Sequence, residues 1–506
     1  MTLPDWLDPL FDADEMRAAD AYAIREAGVP SLDLMERAGL GLAQVSAEVA
    51  PDGALKIVVG KGNNGGDGLV AARALREDGR EVDVLAVAPL DELQGDAQAN
   101  LDRLPGAPPE PFEPAALDGA AAVVDALLGT GFSGAPREPV AGAIEAINAA
   151  GCPVVACDLA SGVDASSGEI AGEAVEATVT ATFHASKIGL HVAPGAFRGG
   201  EVRVIDIGMP REAPGASTAG LISERVLGLV PPRTRDGSKF TSGTVIVAGG
   251  ARGLTGAPCL SALAAMRSGA GYVQVAVPAS AEPVFDQRLL EALTHGLPED
   301  DGAHVPAGVD EVLRLAERGG AIVLGPGIGR ADGALEFARE LARRATAPML
   351  IDADGLNAHA GRLEALAERP GPTVLTPHAG ELARLLDMES SEVGEHRLDC
   401  ARAAAERSGC VVVLKGDDSL VVAPGGPVAV SPGATAALAT AGTGDVLSGI
   451  VGTLLAKGLD AFTAAAAGVL AHARAGRVAA TRLGADHTVA SDVVDAVPAA
   501  MSGAAS

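Results

Sequence analysis

Apolar positions along this chain follow two spacings in turn. Residues 14–27 and 31–50 show the three-to-four spacing of helices with one buried face. Pro30-Ser31 separates them, with Ser31 read as a cap and Leu34, Met35 and Ala38 as a buried stripe. Short apolar runs then alternate with helical stretches. Strands are expected at 55–59, 82–87, 121–124, 154–157, 179–183 and 202–205, with helices from 68 to about 78 and near 91–104. A stretch at 211–218, bearing Pro and Ala, reads as a linker. The alternation then restarts, with strands expected at 244–247, 273–277, 322–324, 349–351, 374–375 and 411–414. A hairpin of 420–422 and 428–430 turns about Pro424-Gly425-Gly426. Strands alternating with helices predict parallel α/β sheets in both halves.

In a doubly wound sheet, the loops that follow the strands open on one edge, where ligands bind. Three such loops in the first half are polar. They are Gly60-Lys61-Gly62-Asn63-Asn64-Gly65-Gly66-Asp67-Gly68, Asp125-Ala126-Leu127-Leu128-Gly129-Thr130-Gly131 and Asp158-Leu159-Ala160-Ser161-Gly162-Val163-Asp164. Asn63, Asn64, Asp67, Asp125, Gly129, Thr130, Asp158 and Ser161 are therefore expected to converge. Any one of these loops alone reads as an ordinary turn, because Asn, Gly and Asp are turn residues. Three at equivalent strand ends favour a site. The first loop is neither a G-x-G-x-x-G dinucleotide fingerprint nor a P-loop, since it lacks the Lys-Ser/Thr pair. By the same logic Gly327, His378, Lys415 and Asp445 should share a cleft in the second half.

The clearest stretch is Thr440-Ala441-Gly442-Thr443-Gly444-Asp445 and the helix behind it. Val446, Leu447, Ile450, Val451, Leu454 and Leu455 form the stripe of that helix, and Lys457 and Gly458 close it. A Gly-rich loop thus delivers an acid to the start of a buried helix. Free N–H groups and partial positive charge there suit a phosphate. The carboxylate is placed to take a proton from a hydroxyl. The alternative is that Asp445 is only an N-cap.

Composition sets the outer bounds. A chain of 506 residues predicts two or three domains. With 48% apolar but only 2% aromatic residues, the cores must be built from Ala, Val, Leu and Ile. The net charge of −28 repels nucleic acid and anionic membranes, yet leaves room for a nucleotide in a local loop. Five cysteines without a CxxC pair point to a reducing compartment and no zinc site. Residues 1–20 are acidic with no apolar leader core, and no apolar run reaches 18 residues. A soluble cytoplasmic protein with no nucleic-acid or membrane partner is expected.

The three loops of the first half, with Met35-Glu36-Arg37-Ala38-Gly39, resemble the NAD(P)H-hydrate epimerase domain over about 10–210. The resemblance implies a potassium ion held by Asn64, Asp125 and Ser161, and oxygen ligands suit such a hard cation. It also implies that Asn63, Asn64, Gly65, Gly66 and Asp67 contact the hydrated nicotinamide nucleotide. Gly129, Thr130, Gly131, Phe132, Ser133, Gly134, Ala135 and Asp158 would do the same. Asp158 and Lys187 are the acid/base candidates, Lys187 the weaker because an exposed Lys is common. Ala160 stands where the family usually has Pro, which alters loop stiffness more than chemistry.

The second half resembles the ribokinase-like fold, and within it the ADP/ATP-dependent NAD(P)H-hydrate dehydratase, over about 221–500. Five ordered motifs carry this: Thr255-Gly256-Ala257, Gly325-Pro326-Gly327-Ile328-Gly329, Asp352-Ala353-Asp354-Gly355-Leu356-Asn357, Thr376-Pro377-His378-Ala379-Gly380-Glu381 and Ala441-Gly442-Thr443-Gly444-Asp445. By that pattern Ala257, Gly327, His378 and Asp445 contact the hydrate. Lys415, Gly416, Asp417, Asp418, Ser419 and Gly444 contact ADP or ATP, with Mg²⁺. Ser419 stands where Thr is more usual and keeps the hydroxyl.

The expected protein is therefore an α/β chain of two domains. An N-terminal Rossmann-like epimerase domain (1–215) precedes a ribokinase-like dehydratase domain (221–506). It would repair NADHX and NADPHX, epimerising the R and S forms and dehydrating the S form with ADP or ATP, as a homo-oligomer. Asp445 would be the catalytic base of dehydration. Two rivals stand beside this reading: a small-molecule kinase with an accessory binding domain, and a nucleotide sensor without turnover.

Overall fold

The computed structural model describes residues 2–502 apart from 239, 241 and 318. The chain forms two compact units, one of Pro9–Gly220 and one of Leu221–Ser506 together with Met1–Asp8. The expected 1–215 division therefore misplaces the first eight residues. Trp6 and Leu7 are buried in the core of the second unit, where Trp6 packs on Phe462 at 5.5 Å between ring centroids.

In the first unit, helices α1 (Ala13–Arg25) and α2 (Ser31–Val49) precede strand β1 (Leu55–Val59). Ser31 is the first helical residue of α2 and makes no cap bond, because Pro30 occupies the cap position. Helix α3 (Asn63–Glu77) follows β1. The remaining strands are β2 (Val82–Ala86), β3 (Glu110–Pro111), β4 (Ala122–Ala126), β5 (Val154–Cys157), β6 (Val179–Phe183) and β7 (Glu201–Ile205). They lie in the order β3-β2-β1-β4-β5-β6-β7, every pair parallel. Strands β4, β5 and β6 are buried at every position, as strands covered on both faces must be. The strand order reverses between β1 and β4. The crevice at that switch point is flanked by the 127–135 loop and by the 60–62 turn with the first turns of α3, because Asn63 to Gly68, expected as loop, already lie in the helix. Close packing of α3 there needs glycine: a Cβ at Gly65 would lie 2.0 Å from the Gly60 carbonyl oxygen.

The second unit repeats the plan. Its strands β8 (Thr244–Ala248), β9 (Tyr272–Pro278), β10 (Leu293–Leu297), β11 (Ala321–Leu324), β12 (Met349–Ile351), β13 (Thr373–Leu375) and β14 (Val411–Leu414) are parallel in the order β14-β13-β12-β11-β8-β9-β10. The hairpin β15 (Leu420–Val422) and β16 (Val428–Val430) adds antiparallel to β14. Helices α6 (Gly256–Arg267), α7 (Ala379–Leu386), α8 (Arg397–Ser408), α9 (Thr443–Ala456), α10 (Ala461–Leu483) and α11 (Ala490–Ser502) matter below. They number on from α4 (Gly95–Asp102) and α5 (Val140–Ala149) of the first unit. All six residues of the α9 stripe are buried. Each such burial contributes about 1.5–3 kcal/mol, so the glycine loop ahead of α9 is held by a firmly seated helix.

Candidate functional site

At the first sheet edge, Asp158 leaves β5 in the left-handed region (φ 67) and turns its carboxylate between two partners. Oδ1 accepts from Lys187 Nζ at 2.6 Å, and Oδ2 accepts from the Thr130 N–H at 3.0 Å and the Thr130 hydroxyl at 2.5 Å. Lys187 is 0% exposed. Its ammonium also donates to Thr182 Oγ1 at 2.8 Å and to the Phe183 carbonyl at 3.0 Å. Lys187 was the weaker of two acid/base candidates, because an exposed Lys is common. The side chain is instead saturated, so it acts as the counter-charge of Asp158. Burial pushes Asp158 up, but the Lys187 ammonium and the hydrogen bonds outweigh it and hold the carboxyl below its ordinary value. Asp67 is buried on α3. Burial and the Asp158 charge push its carboxyl well above the ordinary range. Asp20 on α1, half-buried, is raised by burial against the pull of Lys187. Sequence reading missed Asp20, which sits on a helix with no local sign that it faces an acid cluster.

Asp125, Ser161 and Asn64 form an adjoining set. Asp125 is fully buried and accepts from the Leu127 N–H (3.2 Å), the Ser161 N–H (2.9 Å) and the Ser161 hydroxyl (2.7 Å). Asn64 Nδ2 donates to the Leu128 carbonyl at 3.0 Å. Burial pushes Asp125 up to about 6. Gly129 keeps this set open towards Asp158: a Cβ there would lie 3.0 Å from Asn64 Oδ1 and 3.2 Å from Asp158 Oδ2. Asn63, Gly131, Ser133, Gly134 and Ala135 are exposed on the rim, and Phe132 is half-buried.

The second unit holds a cavity of about 510 Å³ at the start of α9. His378, Lys415, Gly416, Asp417 and Ser419 line it with Gly444 and Asp445. Its wall also carries the apolar side chains of Leu438, Leu447, Val469 and Ala473. The N-cap of α9 is Gly442 in the left-handed region (φ 91), and no side chain caps the helix. Asp445 is thus the third helical residue and not a cap. Burial, then the Asp352 charge, pushes its carboxyl up to about 7. Lys415 Nζ donates to Asp352 Oδ1 at 2.9 Å and lies 3.5 Å from Glu381 Oε2. Burial works against that ammonium, but the two carboxylates keep its pKa raised.

Three of the expected site residues, Asp418, Gly327 and Ala257, do not line this cavity. Asp418 is buried in an ion pair with Arg397 on α8, with Oδ1 2.8 Å from the guanidinium, and is absent from the cavity wall. Gly327 (φ 65) lies against Leu254 and Pro258, beside Ala257 at the start of α6, outside the cavity wall. His378 lines the cavity and also caps α7: its Nδ1 accepts from the Gly380 N–H at 3.0 Å and the Glu381 N–H at 3.3 Å. That fixes the ring as neutral, with the proton on Nε2. Sequence reading gave no role to Asp352, Glu381, Ser448 or His472, although the first two stood inside quoted motifs.

Residues 245–499 match the family model described as NAD(P)H-hydrate dehydratase, and residues 31–189 match the one described as YjeF-related protein N-terminus. The bifunctional NAD(P)H-hydrate repair enzyme of Salinibacter ruber is 42% identical over 447 residues, spanning 83% of this chain and 82% of that protein. The one from Moorella thermoacetica is 38% identical over 438 residues, again spanning 83% and 82%. The ADP/ATP-dependent NAD(P)H-hydrate dehydratase of Bacillus subtilis, crystallised with ATP and Mg²⁺, is 28% identical. It covers 55% of this chain and 95% of its own, with a TM-score of 0.46. Two domain matches in this order, and such identity along four-fifths of the chain, place it in one family: it belongs to the bifunctional NAD(P)H-hydrate repair enzymes.

Proposed function

We propose that the two units divide the repair. The Pro9–Gly220 unit epimerises the R and S hydrates of NADH and NADPH. The other unit dehydrates the S hydrate at the cost of ADP or ATP. The observation that carries this is the placement of Asp445: a carboxyl in the first turn of a buried helix, lining a cavity that also holds the Lys415 ammonium. Hydroxide is a poor leaving group. The ring hydroxyl therefore attacks the terminal phosphoryl group while Asp445 takes its proton, and the shortened nucleotide departs. Phosphate then leaves the ring, a neighbouring C–H proton is lost, and the dihydropyridine is restored. Lys415 and the free N–H groups at Gly442 to Gly444 hold the phosphates. Mg²⁺ carried by the nucleotide supplies charge neutralisation on the transferring phosphoryl group. The apolar part of the cavity lining suits the adenine base. Incubation with purified R and S hydrates, with and without each nucleotide, tests the assignment by recovery of dihydronicotinamide absorbance. A stable phosphoester in place of free phosphate and NADH would make the protein a kinase.

In the epimerase unit Asp158, kept ionised by Lys187, is the base. Asn64, Asp125 and Ser161 would hold a potassium ion, which supplies fixed positive charge beside the substrate. The residues fit: Asp125 is wholly buried, its hydrogen bonds come from neutral donors, and its carboxyl is raised. Such a carboxylate suits a cation, and all three side chains offer oxygen. Asp125→Ala removes the one charged ligand. Its epimerisation should fall and lose its response to potassium. Parental epimerisation by this variant in potassium-free buffer would unseat the assignment.

The unit boundaries give a second test. A fragment of residues 9–220 holds a complete seven-stranded sheet and should fold alone and epimerise without nucleotide. Circular dichroism and sizing report its state, and an aggregated fragment would count against independent folding. Five free cysteines fit a reducing cytoplasm, and among the described residues no helix is long and apolar enough to cross a membrane.

A further inference from the structure

The Asp352-Ala353-Asp354 run has no part in the chemistry described above. Its two carboxylates serve different loops. Asp354 accepts from the Gly329 N–H and from Arg330 Nε, each at 3.2 Å, and so ties down the 325–329 loop. Asp352, at the end of β12, is 2% exposed. Its Oδ1 accepts from Lys415 Nζ at 2.9 Å, and its Oδ2 accepts from the Ser448 hydroxyl at 2.7 Å. Ser448 lies one turn past Gly444 on α9, and its hydroxyl is also 3.1 Å from the Gly444 carbonyl. Ala353 between the two acids has φ 51 and ψ −122. A residue with a Cβ holds such a conformation only when its surroundings over-determine it, and the two anchored carboxylates do so. A Cβ added at Gly444 would lie 3.5 Å from Lys415 Nζ and 4.0 Å from Asp352 Oδ2. Ammonium and carboxylate thus lie against the turn that carries Asp445.

We propose that Asp352 is the positioning residue of the dehydration centre: its single carboxylate ties the Lys415 ammonium to the first turns of α9 and fixes it beside Asp445. The inference rests on the reading of Asp445 as the base. The charged groups acting on Asp445 are Asp352 from β12, Lys415 from β14 and Glu381 from α7. His378 and His472 line the same cavity, and burial lowers both, so both imidazoles are neutral. Asp352 therefore has two effects. It orients the cation that meets phosphate, and its negative charge helps to hold the proton of Asp445.

The test is Asp352→Asn in the full chain. It is assayed for kcat, nucleotide KM and the pH profile of dehydration, with epimerisation measured in the same sample. Dehydration should fall about 10²-fold from misplacement of the reacting groups. Its acid limb should move to lower pH, because the like charge next to Asp445 is gone. Epimerisation should stay parental. Ser448→Ala keeps the Asp352 charge, so kcat should fall with the limb in place. Parental kcat and an unmoved limb in Asp352→Asn would overturn the role. If Asp352→Asn does not fold, Ser448→Ala decides alone, and a parental kcat there overturns the tie. Failure of the base itself is a separate outcome, seen as retained dehydration in Asp445→Asn.

Discussion

Asp445→Asn should lower dehydration of the S hydrate by about 10²–10⁴-fold, the usual cost of losing a general base. The substitution keeps shape and takes away no cap, since Gly442 fills that position and the Asp445 side chain makes no capping bond. The fold should therefore survive, and the nucleotide should still bind at Lys415, Gly416, Asp417 and Ser419. The pH profile sharpens the test. With its carboxyl raised to about 7 by burial and by Asp352, Asp445 is ionised only as pH rises through that value. Parental dehydration should fall off below about 7, and the variant should show no such limb. Epimerisation by the same sample should run at the parental rate. Absorbance recovery reads the first activity and chromatographic epimer ratio the second. Near-parental dehydration would remove Asp445 as the base. Loss of both activities would mean that the variant is misfolded or that the sites are coupled.

Lys187→Met should be the most damaging single change in the first unit. Removing one partner of a buried ion pair leaves the other charge uncompensated and typically costs about 3–5 kcal/mol. In the parent the Asp158 carboxyl lies below its ordinary value. The stability from this pair is thus present at neutral pH and is lost only as pH falls below the ordinary carboxylate range. Without the ammonium, burial dominates and lifts Asp158, so its ionised form disappears on the acid side. Epimerisation by Lys187→Met should be weak at neutral pH and recover as pH rises. Thermal unfolding reads the stability. A variant with the parental pH profile would show that Lys187 does not hold Asp158 ionised.

Most of the architecture was legible because each buried parallel strand is an unbroken apolar run. The expected strands at 55–59, 154–157, 179–183, 349–351, 411–414, 420–422 and 428–430 coincide with the observed ones. Leu293–Leu297 was missed because a strand reading Leu-Thr-His-Gly-Leu at a sheet edge has no such run. Glu110–Pro111 is too short and too polar to show. The loops of the candidate sites were visible from Gly, Asn and Asp at strand ends. What each side chain does there was not. Burial made Lys187, expected as a weaker acid/base candidate, the counter-charge of Asp158, and Arg397, fifteen or more residues away in sequence from every quoted nucleotide residue, took Asp418 out of the cavity wall. Ion pairs of that kind join distant elements, so spacing along the chain cannot reveal them.

Trp6 leads to a consequence for how the chain is made. It is the only tryptophan, it precedes the whole Pro9–Gly220 unit, and it is buried against Phe462 in the unit built mainly from residues after 220. On the ribosome it is made before Phe462 and waits through the synthesis of more than four hundred residues until that partner exists. The intervening Pro9–Gly220 unit can close meanwhile, since chains fold domain by domain as they are synthesised. The later unit cannot complete its core until residues on both sides of the Pro9–Gly220 unit have been made. Fluorescence from this one indole therefore reports closure of the later unit, although its codon is translated before the whole of the Pro9–Gly220 unit. A gene divided at residue 220 would strand that indole on the wrong product.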